Sequence, residues 1–207
     1  VRGVPGHAGK RFAREAVEAC VEPDLQELPY MDGPRYVGFV DMAGGSGADS
    51  ATLCIAHAEK DRAVVDVVRE RRPKFSPSDV ALQFSQVLKS YGIGKVTGDR
   101  WGGELPREIF RANGIAYEPC ERTKSDLYGD LLPIINSGRV VLLDNKRMVA
   151  QLAGLERRVS RTGKDNISHA PGPGRCDDLA NCVAGAVVTV LGKSRPIPDD
   201  AVFGNAG

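Results

Sequence analysis

The stretch YVGFVDMAGGSGADSATLCIAHAEKDRAVVDVVR, which runs from Tyr36 to Arg69, carries the clearest strand signals in the sequence. It holds three β-rich runs, Tyr36–Met42, Ala51–His57 and Ala63–Arg69, with a glycine turn after the first and the polar turn Glu59-Lys60-Asp61 after the second. Such short connections predict three antiparallel strands in a meander.

Downstream of this meander, helical and strand patterns alternate. Ser76 as N-cap and Pro77 at the first helical position predict a helix that Gly92 ends. The remaining predictions are strands at Lys95–Asp99, Ile115–Pro119 and Val140–Leu143, helices at Glu104–Asn113, Leu127–Asn136, Arg147–Leu155 and Asp178–Leu191, and a hairpin over Arg157–Ala170 around Thr162-Gly163. Pro133 predicts a kink or break in its helix. This order predicts an α/β fold whose mixed sheet has an antiparallel edge on otherwise parallel strands, with flanking helices.

The composition sets the domain organisation and excludes several protein classes. The chain has 207 residues, a formal net charge of +1 and five scattered cysteines without a CxxC pair. We therefore expect neither a strongly basic nucleic-acid coat, nor a disulfide framework, nor a membrane span. We predict a linker remnant with a short helix at Lys10–Val21 over residues 1–35, one domain over 36–195 and a flexible tail over 196–207. The start at Val1 suggests a piece of a longer protein.

Acidic residues follow two of the predicted strands and open the last helix. Asp41 ends the first strand, Asp99 ends the fourth, and Asp177 and Asp178 begin the final helix. Since ligand crevices lie at the carboxyl ends of strands, the acids converge if strands one and four are adjacent and parallel. Clustered carboxylates require a neutralising cation, and oxygen ligands favour Mg²⁺ or Mn²⁺; two such ions support phosphodiester cleavage. Alternatively, each acid is an ordinary turn residue or helix cap.

Three blocks of the sequence resemble the acidic motifs of the nuclease domain of phage terminase large subunits. They are FVDMAGGSGADSATL (Phe39–Leu53), VTGDRWGGELPREIF (Val96–Phe110) and GRCDDLANCVAGAV (Gly174–Val187), with KSDLYGDLLPIINSGRVVLLD (Lys124–Asp144) similar to the family's spacer. The resemblance covers about residues 36–192 and implies the ribonuclease H-like fold. It implies a two-metal endonuclease, using Mg²⁺ or Mn²⁺, that cuts concatemeric double-stranded viral DNA with little sequence preference.

The resemblance also implies roles and partners. Asp41 would bridge both ions, Asp99 would bind one, and Asp178 would bind the other, a role that Asp177 could share. Cys176 occupies the position at which many relatives have a His. Partners would be DNA, an upstream packaging ATPase domain, the portal and the small terminase subunit, in the host cell cytoplasm. Gly9-Lys10 fails the phosphate-loop pattern, so we expect no ATPase site in this chain.

Basic and other polar residues supply weaker candidates. We expect Arg157, Arg158, Arg161 and Lys164 to contact phosphates, with Arg100 as a further DNA-binding candidate and Lys124, Lys146 and Arg147 as weaker ones; a solvated face is the alternative. Asp49 is better explained as a turn residue than as an extra acid of the site. Gly44, Gly45 and Gly47 are explained equally well by a hairpin turn and by close approach of a phosphate backbone. Trp101 contacts DNA or caps the core. His169 is predicted to be a surface or hydrogen-bonding residue rather than part of the site. The sequence gives no indication of a role for His7 or His57. Cys54 and Cys182 are predicted core residues.

Three other functions remain open from the sequence. A junction resolvase or transposase-like nuclease would share the fold. A glycine turn after a strand-ending Asp is also typical of actin-like ATPases and sugar kinases, which need two such domains. The non-enzyme alternative is an inert DNA-binding or scaffold domain that keeps the acids for structure.

Overall fold

A six-stranded mixed sheet forms the centre of the molecule, as a computed structural model shows. The structure describes residues 12–99, 104–159, 165–169 and 176–193. The strands are β1 (Val37–Asp41), β2 (Ala51–Glu59), β3 (Arg62–Arg71), β4 (Lys95–Gly98), β5 (Ala116–Pro119) and β6 (Val140–Val141), with β7 (Leu155–Val159) and β8 (Asp165–His169) in a separate hairpin. The helices are α1 (Arg14–Glu18), α2 (Pro77–Ser90), α3 (Leu105–Ala112), α4 (Lys124–Asn136), α5 (Lys146–Ala153) and α6 (Asp178–Lys193).

The sheet order is β5-β4-β1-β2-β3-β6. Strand β2 is antiparallel to both β1 and β3, whereas the β1–β4, β4–β5 and β3–β6 pairs are parallel. The predicted α/β fold with a mixed sheet is confirmed. The meander does not form an edge, however, because the chain crosses the sheet after β5 and adds β6 beyond β3.

Alternating side chains along the strands divide the core into two layers. In β1, Phe39 packs with the layer that includes α4, α5 and α6, and Val40 packs with the layer that includes α2. Helix α6 lies close against β1, since a Cβ on Gly185 would stand 2.3 Å from the ring of Phe39. This close approach places the first turn of α6 beside the carboxyl end of β1.

The ends of the helices follow local sequence signals. The side chain of Ser76 accepts a hydrogen bond from Asp79 N, as its N-cap position predicts. Helix α4 starts earlier than predicted, at Lys124, because Thr123 and Asp126 form a capping box. Pro133 does not break this helix, which continues to Asn136.

The segment before β1 packs onto the sheet. Helix α1 is shorter than predicted, since after Glu18 the chain turns so that Val21 pairs in parallel with Leu142. Phe12 and Val17 are fully buried in the core layer of α4, α5 and α6. The hydrophobic core therefore extends to residues that precede Tyr36.

Among the described residues, none of the helices combines the length and apolar character needed to cross a bilayer.

Candidate active site

The carboxyl ends of β1 and β4 bring two of the predicted acids side by side. These strands are adjacent and parallel, Val40 is opposite Gly98, and Asp99 N donates to Val40 O at 3.2 Å. The sequence-based condition for convergence of Asp41 and Asp99 is thus met. The side-chain amide of Asn181 in α6 spans them, with Nδ2 at 2.7 Å from Asp41 Oδ2 and 3.4 Å from Asp99 Oδ2.

Helix α6 delivers the other two acids to the same place. Asp178 Oδ2 accepts from Ser50 N at 2.9 Å, and Thr52 Oγ1 donates to Asp178 O at 3.0 Å, so β2 fixes the start of the helix. Both oxygens of the Asp177 carboxylate face protein donors: Lys124 Nζ lies 3.3 Å from Oδ1, and Tyr128 Oη lies 3.0 Å from Oδ2.

A pocket of about 340 Å³ opens onto this convergence. Its acidic lining residues are Asp41, Asp49, Asp99, Asp177 and Asp178, and the others are Met42, Ala43, Gly44, Gly47, Ser50, Lys124 and Cys176. Lys124 is the only basic side chain among these described lining residues. Asp49 is exposed and lines the pocket, whereas the sequence favoured an ordinary turn residue at this position.

Burial makes the negative charge in this pocket costly. Asp41 is 8% exposed, and burial raises its pKa to about 7, with Asp99 and Asp178 adding to the rise and Lys124 and Asn181 opposing it. Burial also raises the pKa of Asp178, against the hydrogen bond from Ser50. Burial opposes the charge of Lys124, yet Asp41 and Asp177 raise its pKa overall. The ammonium is therefore held in its charged form by the carboxylates around it.

Polar side chains behind the pocket hold its walls in place. Gln151 Oε1 accepts from Leu179 N at 2.8 Å and from Ala180 N at 3.1 Å, so α5 satisfies first-turn donors of α6. Arg147 Nη2 lies 3.1 Å from Cys176 Sγ, and Arg147 Nε donates to Glu70 Oε1 at 2.9 Å. Arg147, predicted as a weak phosphate contact, has a supporting role at the pocket wall in this structure.

The glycine turn after β1 contributes one position that requires glycine. Gly45 has a φ of +79°, and a Cβ there would lie 2.1 Å from Phe75 O. At Gly47, by contrast, a Cβ would meet nothing within 4 Å. The turn thus packs tightly at Gly45 and leaves open space at the pocket lining.

Several predicted DNA contacts lie where the structure gives no side-chain account. Arg100, Trp101, Arg161, Lys164 and His7 fall outside the described residues. Arg157 and Arg158 are in β7 and His169 is in β8, which form the predicted hairpin, but these three side chains also fall outside the described part.

Sequence reasoning missed Asn181 at the centre of the site. It lies three residues after Asp178, on the same face of α6, and this i,i+3 spacing is the signal that could have identified it. Lys124 was predicted only as a weak phosphate contact. Its contact with Asp177, which is 53 positions away in the sequence, has no signal in the segment around Lys124.

The fold is that of several solved terminase nucleases. The large terminase nuclease from thermophilic phage G20c has a TM-score of 0.69 and 18% identity, covering 87% of this chain and 97% of that chain. The nuclease domain of the large terminase subunit gp2 of bacterial virus Sf6 has a TM-score of 0.64 and 13% identity, covering 86% and 98%. The HK97 bacteriophage large terminase has a TM-score of 0.68 and 15% identity, covering 88% of this chain but 44% of that chain.

The G20c nuclease has also been solved with bound magnesium and with bound cobalt. No protein-family model matches the chain, and no curated protein matches it either. The predicted resemblance is confirmed at the level of the fold.

Proposed function

We propose that this chain is the nuclease domain of a phage terminase large subunit and that it hydrolyses phosphodiester bonds of double-stranded DNA with divalent metal ions. The observation that carries the proposal is the convergence of Asp41, Asp99, Asp177 and Asp178 on one pocket at the carboxyl edge of β1 and β4. The shared fold with the G20c and Sf6 nucleases supports the same conclusion.

The side chains of the pocket fit a hard divalent cation. They offer carboxylate oxygens, which Mg²⁺ and Mn²⁺ prefer over softer ligands. Burial of Asp41 beside other acids leaves a negative charge that an added cation would stabilise. Among the described residues, no three His, Cys, Asp or Glu side chains form a ready-made metal cluster. Instead, Lys124 and Asn181 lie against these carboxylates.

We assign the residues as follows. Asp41, Asp99 and Asp178 are the proposed ligands and catalytic residues, with Asp41 shared by two ions. Asp178 is preferred over Asp177 because both oxygens of Asp177 face the protein donors Lys124 and Tyr128. The chemistry expected of Mg²⁺ or Mn²⁺ in such a site is activation of a water and stabilisation of the leaving oxygen.

The remaining side chains would orient these groups and the substrate. Ser50 fixes Asp178, and the Lys124 ammonium lies 3.7 Å from Asp41 Oδ2 and 3.3 Å from Asp177 Oδ1, where it can also approach a phosphate. Arg100, Arg157, Arg158, Arg161 and Lys164 remain proposed phosphate contacts. The packaging ATPase domain, the portal and the small terminase subunit remain proposed partners, in the host cell cytoplasm.

Plasmid nicking tests the proposal. Wild-type protein should nick supercoiled and linear duplex DNA with Mg²⁺ or Mn²⁺ and should be inactive in EDTA. Asp41→Ala should abolish nicking, whereas Asp61→Ala, an exposed change in the β2–β3 turn, should leave it unchanged. Full activity of Asp41→Ala would overturn the assignment. Cleavage confined to branched DNA would favour a junction resolvase, and no cleavage at high protein concentration would favour a scaffold.

A further inference from the structure

The side chain of Asn181 connects the two strand-end acids, and its contacts suggest a specific role. A single nitrogen, Nδ2, lies 2.7 Å from Asp41 Oδ2 and 3.4 Å from Asp99 Oδ2. A side-chain amide carries two N–H groups, so it can donate one to each carboxylate. Because both oxygens contact the same nitrogen, Asp41 Oδ2 and Asp99 Oδ2 are held close to each other.

The other end of the same amide has an unusual environment. Asn181 is 1% exposed, and its Oδ1 has no hydrogen-bond partner among the described residues. Leaving a buried carbonyl oxygen unpaired is unfavourable, so a residue that served only to pack α6 against β1 would be better as an apolar side chain. Packing alone therefore does not explain why a side chain with the donor Nδ2 occupies this position.

The backbone of Asn181 is fixed independently of its side chain. Asn181 N donates to Asp177 O at 2.8 Å, and Gln151 holds the two preceding residues, Leu179 and Ala180, by their N–H groups. The start of α6 is thus determined by backbone contacts with other elements. A change at position 181 that keeps the side-chain shape can remove the amide without removing these supports.

We propose that Asn181 is a positioning residue that holds the carboxylates of Asp41 and Asp99 together before a divalent ion is bound. The proposal rests on the proposed function, since it assigns the purpose of that arrangement to the metal-dependent site. Two like charges at adjacent strand ends repel each other, and the amide supplies a partial positive charge between them without adding a net charge. The ligands are then already close together when the cation arrives.

Two substitutions of nearly the same shape separate this role from packing. Asn181→Leu keeps the branched shape but removes the donor and the unpaired oxygen, and Asn181→Asp replaces the donor with another negative charge. The control is Ser85→Ala, because Ser85 is also buried, with a side-chain oxygen that has no partner in the described part of the chain, but lies in α2 and does not line the pocket. Each protein is titrated with Mn²⁺ while its unfolding temperature and its plasmid nicking are recorded.

We expect Asn181→Leu to remain folded and to require 10–100-fold more Mn²⁺ for half-maximal stabilisation and half-maximal nicking, the usual effect of losing a group that orients metal ligands. Asn181→Asp should unfold at a lower temperature than wild type in EDTA and recover most of this difference in saturating Mn²⁺. Ser85→Ala should keep the wild-type Mn²⁺ dependence in both assays.

The outcomes distinguish the two proposals. If both Asn181 variants keep the wild-type Mn²⁺ dependence of stability and nicking, the positioning role is wrong and the nuclease assignment stands. If wild type is stabilised by Mn²⁺ without cleaving DNA, and Asn181→Leu weakens that stabilisation, the nuclease assignment is wrong and the positioning role stands. If Mn²⁺ neither stabilises wild type nor supports cleavage, both proposals are wrong.

Discussion

Two regions of this protein bury acidic side chains, and they differ in how the charge is balanced. In the pocket at the end of β1, the described residues place one ammonium, that of Lys124, and one side-chain amide, that of Asn181, against the acids Asp41, Asp99, Asp177 and Asp178. Elsewhere on the sheet, the fully buried Asp66 faces the fully buried His57, whose Nδ1 lies 2.9 and 2.8 Å from its two oxygens.

In the second region, the polar atoms of His57 and Asp66 have specific partners. The other ring nitrogen of His57 lies 3.3 Å from Glu59 Oε1, so each ring nitrogen has a carboxylate within hydrogen-bond distance. The ring of Tyr36 packs against the imidazole edge to face at 5.4 Å, and Leu28 N donates to Asp66 O at 2.9 Å. These contacts join β2 and β3 to the segment before β1, which is a structural role.

Buried acids with a structural role and buried acids at a functional site differ in which neighbours act on them. Burial raises the pKa of Asp66 to about 6; its histidine partner opposes the rise and the single acid Glu59 adds to it. Burial raises the pKa of Asp41 to about 7; Lys124 and Asn181 oppose the rise, and the two acids Asp99 and Asp178 add to it. Removing one partner of a buried pair such as His57–Asp66 destabilises the fold, whereas the acids of the pocket outnumber the one cation that the described residues place among them, so a cation from outside the chain would stabilise them.

The largest expected effect is on Asp41. Asp41→Asn should reduce nicking by more than about 100-fold, because loss of a group that merely orients metal ligands already costs 10–100-fold. The free energy of unfolding in EDTA should stay the same or rise, since the change removes one of several repelling charges. Urea unfolding in EDTA beside a nicking assay measures both. A large loss of stability would place Asp41 in the same structural class as Asp66.

Asp66 should show the opposite result. Asp66→Ala leaves the buried imidazole of His57 without its closest partner and should lower the free energy of unfolding by about 2 kcal/mol. Nicking per folded molecule should not change, because Asp66 does not line the pocket. Denaturant unfolding and nicking at a temperature where the variant is folded provide the measurement, with Asp61→Ala as the exposed control. Loss of nicking in the fully folded variant would contradict the comparison.

The sequence predicted the elements of the fold well because their signals are local. Runs of β-forming residues separated by short turns identified β1, β2 and β3, and Ser76-Pro77 identified the start of α2. The adjacency of Asp41 and Asp99 followed from a topological rule about strand ends rather than from any contact. Two helix ends were mispredicted. The end of α1 depends on the turn that brings Val21 to Leu142, and the start of α4 depends on the capping box of Thr123 and Asp126.

The partners of the acids could not be predicted, because they come from distant parts of the chain. Asn181 and Asp41 are 140 positions apart, and nothing in either segment encodes their contact. His57 and Asp66 are only nine positions apart, but a register shift between Ile55 and Ala56 changes which residues face each other across the β2–β3 hairpin. Sequence patterns therefore indicated which residues carry the charge, and tertiary structure determined how that charge is balanced.

Lys124 provides a smaller effect that sharpens the comparison. Lys124→Met keeps an unbranched side chain but removes the ammonium that contacts Asp41 and Asp177, so the unfolding free energy in EDTA should fall by about 1 kcal/mol. Mn²⁺ should raise the unfolding temperature of this variant more than that of wild type, since the added cation replaces the lost charge. The control is Lys95→Met, whose ammonium pairs on the surface with Glu118 and should contribute less. Equal effects of the two changes would show that the pocket's charge imbalance is small.

The pH dependence of stability provides a further test of the buried pair. Burial raises the folded-state pKa of Asp66 to about 6, above its ordinary value of 3.8, so the folded protein binds this proton more tightly than the unfolded chain does. The contribution of Asp66 to stability is therefore fully present below pH 3.8 and declines as the pH rises through about 6. The difference in unfolding free energy between wild type and Asp66→Asn, measured by urea unfolding at several pH values, should decline as the pH rises across that window. Asp41 and Asp178 are present in both proteins, so their titration cancels in the difference. A difference that instead grows with pH would mean that His57 stabilises ionised Asp66 more than burial destabilises it.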